Sequence, residues 1–327
     1  MPSGHVAYFA LGGTISMTAA EGVGAVARLG GDELVASLGP LPAEVVVHDP
    51  QVVPSASLTF VDVLDLVAAA ETAVADGAVG VVLTQGTDTL EEVAFLVDSV
   101  WRHDAPFVVT GAMRNPSLLG ADGPANLLAA FQVATSDAAR GQGALVVFAD
   151  EIHAARHVRK THTTSPATFV SPDTGPLGHI VEGTPRFLVR VPRRQLVRGW
   201  TTEAVAATRI ALYTVTLDDD AALIAGPPHA HQGLVLAGVG AGHVPEHMVA
   251  VLDEILTAMP VVLTSRTGAG SVLADTYGAP GAERDLLGRG VIGGGFVHPF
   301  QARVLLRLLV AAGAGRDEIA AAFAALG

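Results

Sequence analysis

Cysteine is absent from the 327 residues and lysine occurs once, at position 160. Without cysteine there are no disulfides, no thiolate metal site and no cysteine nucleophile. Charge is scarce too, at 16% of residues, and the formal net charge of -13 comes without any run of Lys or Arg. Nucleic acids and anionic membranes need clustered cations, so neither is expected as a partner. No uninterrupted apolar run reaches the roughly 20 residues of a membrane span. The N-terminus, Met-Pro-Ser-Gly-His, lacks the basic and long apolar regions of a secretory signal, so a cytoplasmic protein is expected.

Familiar catalytic signatures are missing as well. No serine sits in Gly-x-Ser-x-Gly, and Lys160-Thr161 has no preceding glycine, which excludes a nucleophile elbow and a phosphate loop. Gly288, Gly290 and Gly293 match Gly-x-Gly-x-x-Gly, but they follow the helix-like Glu283–Leu287 instead of a strand, the wrong setting for a dinucleotide. The pairs His153/His157 and His243/His247 have no glutamate at the metalloprotease position, so no metal is expected.

What remains is a long apolar chain, half of it hydrophobic. Single cores stop growing near roughly 250–300 residues, so about two domains are expected. Short β-branched runs at His5–Leu11, Glu44–His48, Val79–Thr84, Phe107–Thr110 and Ala144–Phe148 alternate with helical patterns at Asp62–Asp76, Thr89–His103 and Pro124–Asp137. Thr59 and Asp62 form a capping-box pattern ahead of the first of these helices. This alternation predicts an α/β fold with a parallel sheet covered on both faces. Residues 191–208, with three arginines and little periodicity, read as a connection between a larger domain, 1–190, and a smaller α/β domain, 209–327. In the latter, strands are expected at Arg209–Val215, Leu234–Ala237 and Val261–Thr264, and helices at Glu246–Ala258, Phe300–Ala312 and Asp317–Leu326.

Three segments carry chemistry near strand ends, where open parallel sheets bind ligands. Gly12-Gly13-Thr14 is either a turn with a capping threonine or an exposed hydroxyl beside amide donors, as acyl transfer needs. Thr84-Gln85-Gly86-Thr87-Asp88-Thr89 crowds three hydroxyls and a carboxylate into six residues; Asp88 is either a helix cap with Glu91 or a site residue. Lys160 stands alone among eighteen arginines. It is a compositional remnant or a base, a role open to lysine and closed to arginine.

Together these segments resemble the bacterial asparaginase/glutaminase family of threonine amidohydrolases. The resemblance extends to Thr110-Gly111-Ala112-Met113-Arg114, to Ala121–Leu127 and to Gln301–Leu306, in the family's order. It implies hydrolysis of L-asparagine, or of glutamine or another side-chain amide, without cofactor. It implies Thr14 as nucleophile and Thr87, Asp88 and Lys160 as the set that moves protons and activates water. Ser55 would grip the substrate carboxylate, Asp88 the α-ammonium, and Gly13, Gly86, Thr87 and Ala112 would line the pocket. A homo-oligomer, dimer or tetramer, is implied as well. Two positions depart from the pattern: no tyrosine lies between Thr14 and Ser55, with the lid position falling near Gly24, and His243 follows the Gly238–Gly242 stretch where the family has an asparagine. A pocket that binds without turnover is the reading of a different class.

Overall fold

The computed structural model describes residues 4–20, 24–27, 29–50, 53–192, 197–226 and 230–326. The chain forms two compact units, Met1–Gln195 and Leu196–Gly327.

In the first unit the elements run β1 His5–Ala10, β2 Met17–Ala20, β3 Gly24–Ala27, α1 Gly31–Ala36, β4 Glu44–His48, α2 Phe60–Ala75, β5 Ala78–Thr84, α3 Leu90–Val100, β6 Phe107–Thr110, α4 Gly123–Ala134, β7 Ala144–Phe148 and β8 Glu151–Ala154. Then follow β9 Arg159–Lys160, β10 Phe169–Val170, β11 Gly178–Val181 and β12 Thr184–Phe187. The main sheet has the order β12-β11-β8-β7-β6-β5-β1-β4. From β4 to β7 every pairing is parallel. Val6, Tyr8, Val82, Val108 and Leu145 pack with Leu127 and Phe131 of α4 in one cluster. The alternate residues Ala7, Phe9, Val81, Leu83 and Val109 are equally buried, and α2 and α3 lie against these strands. Burial on both faces is why these strands read as continuous apolar runs.

The expected parallel sheet is present and is extended on one side. β8, β11 and β12 add antiparallel strands beyond β7. The reversal from β7 to β8 is a two-residue turn, Ala149-Asp150, with φ of 49° and 63°. Such left-handed turns match the strand twist and usually advertise themselves with Asn-Gly or Asp-Gly. Ala-Asp carries no such signal.

Helix α2 starts as its pattern predicts: Asp62 N donates to Thr59 Oγ1 (3.2 Å) and Thr59 N donates to Asp62 Oδ2 (2.8 Å). Helix α3 is fastened at its far end by a buried carboxylate. Asp98 Oδ1 accepts from Ala144 N (3.0 Å), and Oδ2 accepts from Arg156 Nε (3.1 Å) with Nη2 2.9 Å away.

The second unit holds α5 Thr202–Ala207, β13 Ile210–Thr214, β14 Gly233–Gly238, α6 Met248–Leu256, β15 Val261–Ser265, α7 Glu283–Gly288, β16 Ile292–Gly293, α8 Pro299–Ala311 and α9 Arg316–Ala324. Its sheet is parallel, in the order β13-β14-β15-β16, with α8 against β13 and β14. Helix α5 lies in the stretch expected to be a connection, where Thr201 Oγ1 caps it by accepting from Ala204 N. Within that stretch, residues 193–196 lie outside the described residues. Among the described residues no helix is long and apolar enough to cross a membrane.

Asp98→Ala removes the counter-ion of a nearly buried arginine and frees the N–H of Ala144. Chemical denaturation should show a loss of about 3 kcal/mol or more. A loss well under about 1 kcal/mol would show that this pair does not hold α3 to β7.

Candidate active site

The chain leaves β1 toward β4 on one side and returns through α2 to β5 on the other side of β1. The carboxyl ends of β1 and β5 therefore flank a crevice where the connections diverge, the place where open α/β sheets bind ligands. The two threonine segments sit there. Leu11 N still donates to Thr84 O (2.9 Å), continuing the pairing of β1 with β5, and then the chain turns. Gly13 adopts φ 91°, a left-handed conformation that side chains resist. A β-carbon there would stand 2.4 Å from Gly86 N, so the Gly13 backbone packs directly on Gln85-Gly86. Residues Thr14–Ser16 form one 3₁₀ turn, closed by Ser16 N and Oγ donating to Gly13 O (3.0 and 2.9 Å). Thr14 is half-buried at its start. No side chain caps this turn, so Thr14 is not the capping threonine of the bland reading.

After β5, Thr87–Thr89 form a second 3₁₀ turn that runs into α3. Ser55, the buried residue of the turn Ser55–Ser57, meets it from below: a β-carbon on Gly86 would lie 2.5 Å from Ser55 Oγ, and Thr89 Oγ1 donates to Ser55 O (3.0 Å). Gly111 closes the other side, where a β-carbon would strike Gln85 O at 2.6 Å and Thr87 Cγ2 at 3.4 Å. Ala112 beside it is fully buried and packs near Ile15 and Gly123. Behind them, Asp122 accepts from the N–H groups of Met113 and Arg114, and Asn126 Nδ2 donates to Gly111 O (3.0 Å).

Lys160 reaches this turn from β9. Its Nζ donates to Thr87 Oγ1 (2.9 Å) and to Asp88 Oδ1 (2.7 Å). The lysine side chain is 13% exposed and the Asp88 side chain 71% exposed, so Asp88 faces solvent while Lys160 and Thr87 lie behind it. The capping alternative for Asp88 is overturned: the N-cap position of α3 is Thr89, without a side-chain cap, and the Asp88 carboxylate is spent on the lysine. Beside the pair opens a cavity of about 340 Å³ lined by Asp88, Lys160, Thr161, His162 and Thr163. Thr14 and Ser55 are not among its lining residues.

One residue read from the sequence only as a capping partner belongs to this cluster. Glu91 is 5% exposed, and its Oε2 accepts from the backbone N–H of Lys160 (3.2 Å). Burial pushes its carboxyl up to about 7, against the pull of Arg159 and of the Lys160 N–H. The signal was helical spacing: position 91 shares a face with Ala94 and Asp98, both buried.

The histidine pairs have separate structural partners. His153 is buried with Nδ1 3.0 Å from Ser171 Oγ, and burial lowers its pKa to about 4. His243 Nε2 meets Glu283 Oε2 (3.0 Å), whereas His247 Nε2 meets Asp219 O (2.7 Å). Among the described residues no group of His, Asp and Glu is arranged to hold a metal ion. Gly24, at the expected lid position, begins β3 of the β2–β3 hairpin that follows the Thr14 turn; Glu21–Val23 lie outside the described residues.

Residues 5–193 match the family model "Asparaginase, N-terminal", and residues 209–323 match "Glutaminase/Asparaginase C-terminal domain". A probable L-asparaginase of Deinococcus radiodurans is 35% identical over 280 residues, covering 84% of each chain. An L-asparaginase of Bacillus licheniformis is 34% identical, covering 94% of this chain and 95% of the relative. The crystal structure of a probable cytoplasmic L-asparaginase from Campylobacter jejuni superposes with a TM-score of 0.87 at 28% identity, over 98% of this chain and 99% of the other. With 95% of a relative matched at 34% identity and family models spanning nearly the whole length of this chain, it belongs to the asparaginase family.

Proposed function

We propose that this protein is an L-asparaginase that hydrolyses the side-chain amide of asparagine, with the Thr14 hydroxyl as nucleophile. The oxygen of Thr14 attacks the amide carbon, the C–N bond breaks, and the hydroxyl proton leaves on nitrogen as ammonia. Water then attacks the resulting ester, releasing aspartate and restoring Thr14. Thr87, Asp88 and Lys160 form the set that relays protons in both halves. Ser55 takes the substrate carboxylate, and the exposed Asp88 carboxylate takes its α-ammonium. Gly13, Gly86, Thr87 and Ala112 line the pocket.

The single observation that carries this reading is Lys160 Nζ bridging Thr87 Oγ1 and Asp88 Oδ1, on a turn against which the Gly13 backbone is packed. An isolated surface lysine has no reason to be drawn under a threonine hydroxyl. A cap needs one hydroxyl or carboxylate, not three groups joined to a distant strand.

Glutamine remains the second substrate, favoured by the family model's own description, which covers glutaminases and asparaginases alike. The domain reading becomes a catalytic unit of residues 1–190, a connection 191–208 and a C-terminal unit 209–327. A cytoplasmic location and a homo-oligomer, dimer or tetramer, are part of the same proposal; the Campylobacter jejuni protein is described as cytoplasmic.

Thr14→Ala should lower ammonia release from L-asparagine by roughly a thousand-fold or more, since it removes the attacking atom. A Thr14→Ala variant at the parental rate would refute the nucleophile assignment. Lys160→Met keeps the aliphatic stem and removes the ammonium, and its kcat should fall by about 10²- to 10⁴-fold. Aspartate binding by calorimetry, with no ammonia released from asparagine or glutamine at any pH tried, would replace the enzyme by a binding protein.

A further inference from the structure

Lys160 is held at both ends. Its ammonium is shared by Thr87 and Asp88, and its backbone N–H donates to Glu91. The strand that carries it, β9, is two residues long and pairs with the two residues of β10, with one further backbone bond from Thr161 N to Thr168 O (2.9 Å). A ladder this short cannot by itself hold a four-carbon side chain to a fixed target. Glu91 lies on α3, one helical turn beyond Thr87 and Asp88, so the same rigid element carries the acceptors of the ammonium and the acceptor of the backbone.

We propose that Glu91 is a positioning residue for the reaction: its carboxylate anchors the Lys160 main chain and so sets where Nζ stands between Thr87 and Asp88. This rests on the reading that Lys160 relays protons.

The anchor is ionisable in the working range. Burial raises the Glu91 carboxyl to about 7, helped by Glu92 on its own helix and opposed by Arg159 and Lys160 from β9; Asp173 faces Arg159 in turn. Asp88, on the turn that leads into α3, is spent on Nζ. When Glu91 loses its proton the bond from Lys160 N–H becomes charge-assisted, roughly twice as strong as its neutral form. The anchored, active arrangement therefore belongs to the pH side above that ionisation.

Stability runs the opposite way. A carboxyl whose pKa is raised by folding contributes fully below its unfolded value of 4.5, and that contribution is lost as pH rises through about 7. Activity and stability thus move in opposite directions through one titration, a pattern that a merely structural glutamate would not produce.

The test is a pH series of kcat and KM for L-asparagine on the intact protein, with Glu91→Gln, Glu91→Asp and Lys160→Met beside the parent, and thermal midpoints over the same series. The parent's kcat should rise through an ionisation near 7. Glu91→Gln should lack that limb and fall about tenfold at alkaline pH, with KM within about twofold. Glu91→Asp, which keeps the charge on a shorter arm, should retain a titrating limb and recover part of the loss. The parent's thermal midpoint relative to Glu91→Gln should drop as pH rises. Glu91→Gln with parental kcat and the same limb would overturn the proposal, as would a midpoint difference indifferent to pH. Should Glu91→Gln fail to fold, Glu91→Asp decides, and parental kcat with an unshifted limb there overturns it too. If Lys160→Met is crippled while Glu91→Gln behaves as the parent, only the anchoring fails. If Lys160→Met keeps the parental rate, the relay reading itself fails.

Discussion

The site turns on one ammonium group with two acceptors. Lys160 Nζ sits between Thr87 Oγ1 and Asp88 Oδ1, and both belong to one turn after β5. Bringing a residue 73 positions away to within 2.9 Å of a hydroxyl demands a frame that does not give. The frame is α3. Glu91 and Asp98, seven apart and so on one face, accept from Lys160 N and from Arg156, and thereby tie the segment 156–160 to the helix that begins with the turn itself. Two buried carboxylates on a helix are costly unless each is paired, and here each meets the same neighbouring segment, Asp98 holding Ala144 N as well.

The other half of the frame is the absence of side chains. Gly13, Gly86 and Gly111 meet at the ends of β1, β5 and β6, and a β-carbon on any of them would lie within 2.6 Å of a neighbouring atom. Close backbone approach brings the turn that begins at Thr14 onto the turn that holds Thr87. It also sets the Ser55 hydroxyl directly beneath Gly86. The departure of the connections from β1 and β5 in opposite directions supplies the crevice, and the glycines supply the fit.

Much of this was legible in the sequence because the signals were local. Strands buried on both faces read as β-branched runs, and Glu44–His48, Phe107–Thr110 and Ala144–Phe148 run as expected. Thr87 and Asp88 stood out through crowding, and Lys160 through being the only lysine. The antiparallel strands after β7 were not legible, since Ala149-Asp150 turns the chain without glycine or asparagine and β8–β12 are two to four residues long. Short elements such as α1 leave too few periods to read. Glu91 was misread for a different reason. A glutamate three residues after an aspartate at a helix start looks like a capping pair, and only tertiary structure shows that its partner is the backbone of Lys160.

The central claim, that Thr14 carries the acyl group while the Thr87 turn moves protons, is tested most directly by acid-quenching the protein during turnover of L-asparagine and mapping the modified peptide by mass spectrometry. The account predicts an aspartyl ester on the peptide containing Thr14, formed as ammonia is released. An ester found on Thr87 instead, or ammonia released with no covalent species on any threonine, would contradict it.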